Sequence, residues 1–502
     1  MAGDTTLQHA HGTPAVSGLT RRRFLLHGVW AGAALLTACA QGSSNPMTNP
    51  STTHETSGGA SATAHPTSPA TPSTPTASPT GVPALVTQPG SKVSVVYWDA
   101  FGGDRGKVVQ EIVRRFNASQ SDVEIAYQYQ GNYDETGQKL IQALAAKQTP
   151  DLVLLADNWW FRFYLTGALQ PLNDFFAQAA IDTRDYVAPL LNEGTRQGRI
   201  YWVPFARSTP LFYYNKAAWQ EAGLPDRGPR TWEEFRAWAP KLVKQSGATT
   251  SRFAFGHPAG AGTTAGNLSS TVSWNFQSIV WQWGGRYSDD SLQIRIQEPQ
   301  AVEAGRVYLL DGIQAGWAVA SGNVDGDFIT GRVAALVAST AQLAGYEKNA
   351  NFPVGTAFLP EGPAGFGCCT GGAGLAILKD KPREVQQAAF RYVAFATSPE
   401  MTTFWSQSTG YMPVRTSAIE GAAMQQFYQQ HPNFKTAVTQ LPQARPPDPA
   451  REWIPNGFDL IGRGIEQVLT QREDPQAVFG AVAKQLEEAA KPVREQLKRI
   501  EG

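Results

Sequence analysis

Histidine and cysteine, the side chains most often used for nucleophilic and metal chemistry, are scarce in this chain of 502 residues. Five of its seven histidines precede residue 66, which leaves only His257 and His431 in the remainder. No HExxH pair and no His/Cys cluster at metal spacing occurs. The stretch GHPAGAGTTAG around His257 is typical of a flexible loop, which does not favour a general base held in place. The sequence therefore predicts that the protein is not an enzyme and uses neither a metal nor another cofactor.

Some polar residues lie where a sheet can present them to a ligand. Asp157 follows the apolar segment DLVLLA, and ligands of open α/β sheets bind at the carboxyl ends of the strands. A carboxylate there can accept two hydroxyl groups or pair with a cation. The alternative is that Asp157 only caps the helix NWWFRFYL. Asn158 and Trp159 follow at the same strand end and are further candidates.

Two pairs of small residues stand close together near the middle of the second half. Gly371 and Gly372 in CTGGAG expose backbone N–H groups that suit a phosphate or hydroxyl oxygen. The alternative is a tight turn that requires a positive φ. Cys368 and Cys369, directly before them, either close a strained vicinal ring or are two small buried thiols.

The elements that must position these residues alternate between strand and helix. KVSVVYW, VEIAYQY and PDLVLLAD read as β-branched or apolar strands, and the last is fully apolar as in a strand buried on both faces. Between them, Val108, Ile112 and Phe116 recur at helical spacing, and DETGQKLIQALAAKQ places Leu140 and Leu144 on one face. This order predicts an α/β fold with a parallel, doubly wound sheet.

The first 90 residues indicate export and attachment to a membrane. Thr20-Arg21-Arg22-Arg23-Phe24-Leu25 resembles a twin-arginine signal, and Leu36-Thr37-Ala38-Cys39 resembles a lipobox whose cysteine is diacylated. The alternative is a short membrane anchor with an incidental cysteine. Residues 39–90 are rich in Ser, Thr and Pro and predict a disordered tether after the signal peptide of residues 1–38. We expect the mature protein to be lipid-anchored on the extracytoplasmic face of the cell membrane.

Composition limits the partners of the body that follows. About 410 residues remain after the tether, which favours two lobes. The net charge is zero, so nothing indicates a nucleic acid or an anionic surface as partner. Aromatic residues make up 11% and charged residues only 17%, a balance that favours an uncharged ligand held against aromatic faces, although tryptophan also serves as core.

Several segments together resemble the family 1 extracellular solute-binding proteins of ABC sugar importers. They cover nearly the whole body in family order: FNASQSDVEIAYQYQGNY, AAKQTPDLVLLAD, YWVPFARSTPLFYYNK, GDFITGRVAALVAST, TGGAGLAIL and STGYMPVRTSAI. The Gly-Asn-Tyr, Ser-Thr-Pro and Thr-Gly-Tyr-Met-Pro pieces resemble in particular the glycerol-phosphate and glycerophosphodiester binders of that family. The resemblance implies two α/β lobes of the periplasmic-binding-protein fold, joined by crossing strands around a ligand cleft.

The same resemblance implies the partners and the remaining site residues. The protein would act as a monomer, capture a sugar or glycerophosphodiester, and deliver it to ABC transporter permease subunits. Lobe 1 would comprise residues 91–207 and 361–410, and lobe 2 residues 208–360 and 411–502. Beside the candidates above, the implied cleft residues are Tyr133, Ser208, Trp274, Ser339 and Tyr411. Tyr411, which precedes Met412-Pro413 at a chain crossing, would stack on the ligand.

The sequence departs from the glycerol-phosphate binders at the residues that would hold the phosphate. The two close tryptophans of those proteins have no good match in STVSWNFQSIVWQWGG, and the phosphate arginine has only Arg451 and Arg463 as nearby candidates. An anion without a bidentate partner binds poorly, so the sequence favours a neutral sugar. A secreted carbohydrate hydrolase remains the alternative function. It would need two carboxylates flanking a cleft, for which Asp99 and Asp157 are the available pair.

Overall fold

The computed structural model describes residues 92–259 and 268–502. The predicted signal peptide, Cys39 and the predicted tether lie outside these residues. The strands are, in chain order, β1 (Val93–Asp99), β2 (Val123–Tyr129), β3 (Leu152–Ala156), β4 (Thr195–Arg196), β5 (Arg199–Ile200), β6 (Val203–Ser208), β7 (Pro210–Asn215), β8 (Lys244–Ser246), β9 (Thr249–Pro258), β10 (Ala318–Ser321), β11 (Val333–Ser339), β12 (Val354–Ala357), β13 (Cys368–Cys369), β14 (Gly371–Ile377) and β15 (Ala444–Arg445).

The α-helices of the described residues alternate with these strands. They are α1 (Gly103–Ser119), α2 (Tyr133–Ala146), α3 (Asp157–Leu165), α4 (Asn173–Gln178), α5 (Ala188–Glu193), α6 (Lys216–Glu221), α7 (Trp232–Leu242), α8 (Leu268–Gln282), α9 (Pro299–Ala304), α10 (Asp311–Gln314), α11 (Val324–Ile329), α12 (Leu343–Asn349), α13 (Arg383–Ala396), α14 (Pro399–Thr409), α15 (Thr416–Glu420), α16 (Ala422–Gln430), α17 (Pro432–Gln440), α18 (Pro449–Glu452), α19 (Gly457–Gln471) and α20 (Pro475–Glu501).

The first sheet contains the strands predicted from the beginning of the body. Its order is β2-β1-β3-β14-β6, and β1 pairs in parallel with both β2 and β3, as the strand–helix alternation predicts. All residues of β3 are buried, because helices cover both faces of the sheet. Leu154 packs in one core cluster with Ile112 of α1 and Phe390 of α13, whereas Val153 and Leu155 pack in a second cluster with residues of α2 and α3. The doubly wound arrangement is confirmed, with one antiparallel strand, β14, between β3 and β6.

The second sheet repeats this plan. Its order is β10-β9-β11-β7-β12, in which β9 pairs in parallel with β10 and β11, and β7 is antiparallel to β11 and β12. The chain passes from the first sheet to the second at Thr209, between the end of β6 and the start of β7. The chain returns from the second sheet to the first between β12 and β14. The two sheets are therefore connected through strands whose ends face each other.

Side chains cap the helices α14 and α7, and the last helix packs on other helices. Ser398 caps α14 by accepting a hydrogen bond from the Met401 amide, with Pro399 at the first helical position. Thr231 caps α7 in the same way through the Glu234 amide. The C-terminal helix α20 begins after Asp474, and its apolar face packs on the helices α19, α9 and α3.

The position of His257 differs from the sequence-based expectation, since this residue lies in β9 and not in a flexible loop. It is buried between the rings of Phe255 and Tyr308, each with its centroid 4.9 Å away. Burial lowers the pKa of His257 to about 3, because a charged imidazole would lose its hydration there. The side chain is thus neutral at physiological pH and packs as part of the core.

The boundary between the two lobes stays a prediction, and one segment suggests a refinement. The strands of the two sheets separate at residue 209, close to the expected change from lobe 1 to lobe 2. The backbone amide of Val187 donates a hydrogen bond to the carbonyl oxygen of Val414, and Arg415 pairs with Asp185, so residues 411–420 contact the first-sheet side.

Within the described residues, no helix is both long and apolar enough to span a bilayer.

Candidate functional site

A cleft of about 520 Å³ lies between the two sheets. Strand ends of both sheets form its walls, with Ser208 of β6 on one side and Leu336–Ser339 of β11 on the other. Eight of the ten ligand-binding residues predicted from sequence line it, namely Tyr133, Asp157, Asn158, Ser208, Trp274, Ser339, Gly372 and Tyr411. These residues come from segments up to 278 positions apart, and the fold brings them to one place.

Two of the predicted residues, Trp159 and Gly371, do not line the cleft. Trp159 is 4% exposed, donates its indole N–H to Asp134 at 2.7 Å, and lies against Gly137 so closely that a methyl group there would overlap the ring. A Cβ at Gly371 would lie 2.3 Å from the indole nitrogen of Trp274. Trp159 is therefore a packing residue of α3, and Gly371 allows the Trp274 ring to approach the backbone.

Gly372 combines the two explanations that the sequence left open. Its φ is +106°, and a Cβ would lie 2.0 Å from the carbonyl oxygen of Ala206. Both facts require glycine here. The residue also lines the cleft, so the tight backbone of β14 forms part of the wall that a ligand would contact.

Asp157 and Arg451 form the floor of the cleft. Arg451 lies in the short helix α18 and is 2% exposed. Its Nη1 approaches Asp157 Oδ2 to 3.4 Å, but the geometry is not that of a hydrogen bond. Arg451 Nε and Nη1 and Asp157 Oδ2 are buried and have no hydrogen-bond partner among the described residues. Such groups are costly to leave unsatisfied, and these three atoms belong to residues that line the cleft floor.

The charge of Arg451 is retained in this buried position. Burial by itself lowers the pKa of Arg451. The negative charges nearby, with Asp157 first and Glu452 second, together raise this pKa by more than burial lowers it, so the net shift is upward. Arg463, the other arginine considered from sequence, pairs with Asp459 on the exposed side of α19 and does not line the cleft. Arg451 is thus the arginine at the floor that the sequence could name only as one of two candidates.

A buried ionic network supports the floor from behind. Glu193 pairs with Arg207, which is wholly buried, and accepts a 2.8 Å hydrogen bond from Thr370. Carboxylate oxygens of Asp157, Glu193 and Glu452 lie within 4.8 Å of one another. Burial, reinforced by the neighbouring carboxylates, raises the pKa of Glu452 well above its ordinary range and also raises that of Glu193. The network thus combines three buried carboxyl groups with the guanidinium groups of Arg207 and Arg451.

Aromatic side chains form one wall of the cleft. The hydroxyl groups of Tyr133 and Tyr411 are 3.2 Å apart. The Tyr411 ring stacks on Trp405, with centroids 5.4 Å apart and an interplanar angle of 18°, and only 4% of the residue is exposed. Phe101 fills the space beside both tyrosines. Trp405 therefore covers one face of the Tyr411 ring, and Tyr411 presents its edge and hydroxyl to the cleft.

Cys368 and Cys369 lie beside this site as free, fully buried thiols. Gln440 donates to Cys368 Sγ at 3.0 Å, and Cys369 Sγ lies 3.3 Å from the carbonyl oxygen of Trp274. Burial raises the pKa of Cys369 to about 12. The structure thus favours the second alternative considered for this pair, two small packed thiols in β13.

The carboxylate pair considered for hydrolysis is not assembled at the cleft. Asp157 lines the cleft, whereas Asp99 lies outside its lining and is wholly buried. Asp99 accepts hydrogen bonds from the hydroxyls of Tyr97 and Tyr127 at 2.9 and 3.1 Å. Burial raises its pKa to about 6 against the opposing effect of these bonds. Asp99 therefore stabilises the end of β1 and cannot act on a molecule in the cleft.

Sequence reasoning missed several residues that line the cleft. They are Arg105, Asn132, Ser270, Asn275, Asp325 and Gln342. Asn132 caps α2 through its side chain and is the middle residue of the resembling Gly-Asn-Tyr piece, so a signal for it was present. The others lie on helices or loops whose local sequence shows no binding motif.

Comparison with known proteins assigns the family. A model of the bacterial extracellular solute-binding proteins matches residues 111–436, about two thirds of the chain. The chain belongs to this family. The predicted two-lobed periplasmic-binding-protein fold is confirmed by the solved structures that the chain resembles.

Several relatives of this solute-binding protein have been characterised. The crystal structure of UgpB from Mycobacterium tuberculosis in complex with glycerophosphocholine is 39% identical, with a TM-score of 0.74, and the match covers 80% of this chain and 99% of that one. The sn-glycerol-3-phosphate-binding periplasmic protein UgpB of Yersinia pestis is 28% identical over 77% of this chain and 89% of that protein. The cyclic alpha-maltosyl-1,6-maltose binding protein of Arthrobacter globiformis has a TM-score of 0.65 at 22% identity, over 80% of this chain and 100% of that chain, and shares the fold. The expected family and the resemblance to glycerol-phosphate binders are thereby confirmed.

Proposed function

We propose that this solute-binding protein captures a glycerophosphodiester and delivers it to the permease of an ABC importer. The observation that carries the proposal is Arg451, a buried guanidinium at the cleft floor with two donors that lack a partner among the described residues. A phosphate oxygen that reaches this guanidinium can accept a charge-assisted hydrogen bond from it, and such bonds are among the strongest that proteins make.

The neighbouring carboxylate favours a ligand that is more than an anion. Asp157 lies 3.4 Å from Arg451, so a simple anion held by the arginine would be repelled by the carboxylate. A glycerol group supplies hydroxyls that can donate to Asp157 Oδ2 while the phosphate on the same molecule faces the guanidinium. A cationic alcohol substituent, as in choline, would further balance the carboxylates of the cleft.

The size and lining of the cleft agree with a ligand of this class. Its volume of about 520 Å³ falls within the usual range of roughly 300–1,000 Å³ for small-molecule sites. The hydroxyls of Tyr133 and Tyr411 and the indole of Trp274 offer polar and aromatic contacts on the walls. A relative crystallised in complex with glycerophosphocholine and a relative named for sn-glycerol 3-phosphate match at 39% and 28% identity, which supports the same ligand class here.

A neutral sugar, which the sequence departures favoured, is the second ligand class. That preference depended on the lack of a clear phosphate arginine, and we propose Arg451, which lines the cleft floor, as that arginine. With a neutral ligand, the guanidinium charge of Arg451 would face no negative charge at the cleft floor except that of Asp157. Because an unsatisfied buried charge is costly, a ligand with a phosphate uses this site better.

Capture would follow the domain-closure mechanism of two-lobed binding proteins. The cleft walls belong to both sheets, so a ligand in it contacts both lobes only when they are close together. The ligand therefore shifts the population toward the closed form. We propose that the permease recognises that closed form, and that the protein acts without chemical change to the ligand.

Calorimetry tests the ligand class directly. Glycerophosphocholine, sn-glycerol 3-phosphate, glycerol and maltose are titrated in turn into the purified full chain. We expect glycerophosphocholine to bind with a dissociation constant at least a hundredfold below that of glycerol or maltose. Phosphorus NMR of the recovered ligand should show it intact, which separates binding from hydrolysis. Tight binding of maltose with no heat from either phosphate would reverse the assignment.

We also propose that the chain is exported through a twin-arginine signal and anchored by a lipid on Cys39. The proposal rests on Thr20-Arg21-Arg22-Arg23 and on Leu36-Thr37-Ala38-Cys39. An anchored receptor stays near the permease at the extracytoplasmic face, which shortens the search for its partner.

Replacing the predicted acylation site should release the protein from the membrane. We expect Cys39→Ala, expressed in a lipoprotein-processing host, to lose its acyl mass and to leave the membrane fraction, because no thiol remains for acylation. Ser43→Ala, four residues downstream, serves as the matched control and should stay acylated and membrane-bound. Intact-mass spectrometry of fractionated cells measures both. An unacylated Cys39→Ala chain that still sediments with membranes would contradict the lipoprotein assignment.

A further inference from the structure

Arg105 makes a contact between the two halves of the molecule at the mouth of the cleft. The residue lies in the first turn of α1, beside the first sheet. Its Nη2 donates to the carbonyl oxygen of Ala341 at 2.7 Å and to Oε1 of Gln342 at 2.6 Å. Both acceptors follow β11 of the second sheet. One guanidinium nitrogen therefore joins segments that are more than 230 residues apart.

The receiving segment is itself held in place. Gln342 Nε2 donates to Asp325 Oδ2 at 2.9 Å, and the hydroxyl of Tyr346 donates to the other oxygen of Asp325. Tyr346 is buried in α12. Because the amide nitrogen of Gln342 is bonded to Asp325, the amide group cannot rotate freely. Its oxygen is therefore already oriented to accept from Arg105.

The rest of the guanidinium faces the ligand side. Arg105 lines the cleft, and its central carbon lies 5.7 Å from the centroid of the Tyr411 ring. Its Nε and Nη1 make no hydrogen bond to another described residue. These donors are therefore available to an oxygen of a bound molecule while Nη2 remains bonded across the cleft.

We propose that Arg105 is a positioning residue that couples occupancy of the cleft to contact between its two halves. The proposal rests on the proposed function, since it assigns this residue a part in capturing an oxygen-rich, anionic ligand. The guanidinium can bond the segment 341–342 and the ligand together only when the halves are close. Each contact then stabilises the other, so the residue slows ligand release by holding the closed form.

Loss of this side chain should leave the fold intact. The buried face of α1 consists of Gly106, Val109, Ile112, Val113 and Phe116, and Arg105 is only half-buried at its start. Arg114 on the same helix offers a matched control, because its guanidinium pairs with Glu111 one turn away and lies outside the cleft lining. Arg105→Ala and Arg114→Ala remove the same group from the same helix, and only the first removes the contact across the cleft.

Stopped-flow release of glycerophosphocholine tests the coupling. We expect Arg105→Ala to release the ligand roughly tenfold faster, since bonds to a charged donor are among the stronger ones. Gln342→Ala removes one of two acceptors and should accelerate release about threefold. The double variant should release the ligand no faster than Arg105→Ala alone, because both changes remove the same contact. Arg105→Lys should be intermediate, and Arg114→Ala should match the parent.

A measurement without ligand keeps this test separate from the ligand assignment. Dyes on Glu384→Cys beside the first sheet and Gln314→Cys beside the second report the distance between the halves by single-molecule energy transfer. Cys39→Ala serves as the background, since Cys368 and Cys369 are buried. We expect Arg105→Ala to reduce the high-transfer population severalfold and Arg114→Ala to leave it unchanged. Equal populations in both variants, or accelerations by Arg105→Ala and Gln342→Ala that multiply, would overturn the proposal even if glycerophosphocholine binds. If that ligand does not bind, the proposed function fails while the energy-transfer result still decides the contact.

Discussion

Arg451→Met should weaken binding of glycerophosphocholine by roughly a hundredfold or more, because loss of one partner from a desolvated charge pair typically costs about 2–5 kcal/mol. Methionine keeps the apolar stem of the side chain but removes the two donors that lack a partner at the cleft floor. The carboxylate of Asp157 then remains without its neighbouring positive charge and repels the phosphate. Calorimetric titration of the variant, with a melting curve of the ligand-free protein beside it, measures the effect.

Two further variants separate this prediction from a general loss of charge. Arg451→Lys keeps the positive charge without the fork geometry, and we expect it to bind about tenfold less tightly than the parent. Arg463→Met removes an arginine that is 70% exposed and paired with Asp459 on α19, and it should bind as the parent does. Parental affinity in Arg451→Met, with the protein folded, would move the phosphate to another part of the cleft.

Tyr411→Ala should lower both affinity and stability. The side chain contributes an aromatic edge and a hydroxyl to the cleft, and losing such a contact costs about 2–4 kcal/mol, or roughly a hundredfold in affinity. It is also 4% exposed and stacked on Trp405. The variant therefore leaves a void in the core, which should lower the free energy of unfolding by about 3–5 kcal/mol. Calorimetry and urea unfolding measure the two effects on the same protein.

Tyr411→Phe isolates the part that faces the ligand. It keeps the stacking on Trp405 and the edge-to-face contact with Phe101, and it removes only the hydroxyl, which lies 3.2 Å from that of Tyr133. We expect the free energy of unfolding to change by less than about 1 kcal/mol and the affinity to fall about fivefold. If both Tyr411 variants bind like the parent, the residue only packs the wall, and the site reduces to the floor and Gly372.

Local sequence patterns were sufficient for the elements and for the fold family. The apolar run of β3 and the spacing of Ile112 and Phe116 in α1 predict buried positions because side chains repeat with the period of the backbone. The capping residue Ser398 marks the start of α14 because its oxygen bonds an amide three residues away. The residues in these interactions are only a few positions apart in the chain, so the sequence by itself is enough to predict them. The order of such elements also carried the family resemblance, which the comparisons confirm.

The composition of the cleft depended on contacts that no local pattern records. Asp157 follows β3 and Arg451 lies in α18, and only the packing of α18 on α3 places them 3.4 Å apart. Trp159 is adjacent to Asp157 in sequence, but it points into the core beside Gly137 and leaves the cleft to its neighbours.

Arg105 shows the same dependence, since its partners are the carbonyl of Ala341 and the side chain of Gln342 from the other sheet. Charge, burial and hydrogen-bond satisfaction at such positions depend on groups hundreds of residues away. The sequence by itself therefore determined which helices and strands form and which family the chain resembles. Only the tertiary structure decided which side chains face the ligand, because it alone sets the distances between them.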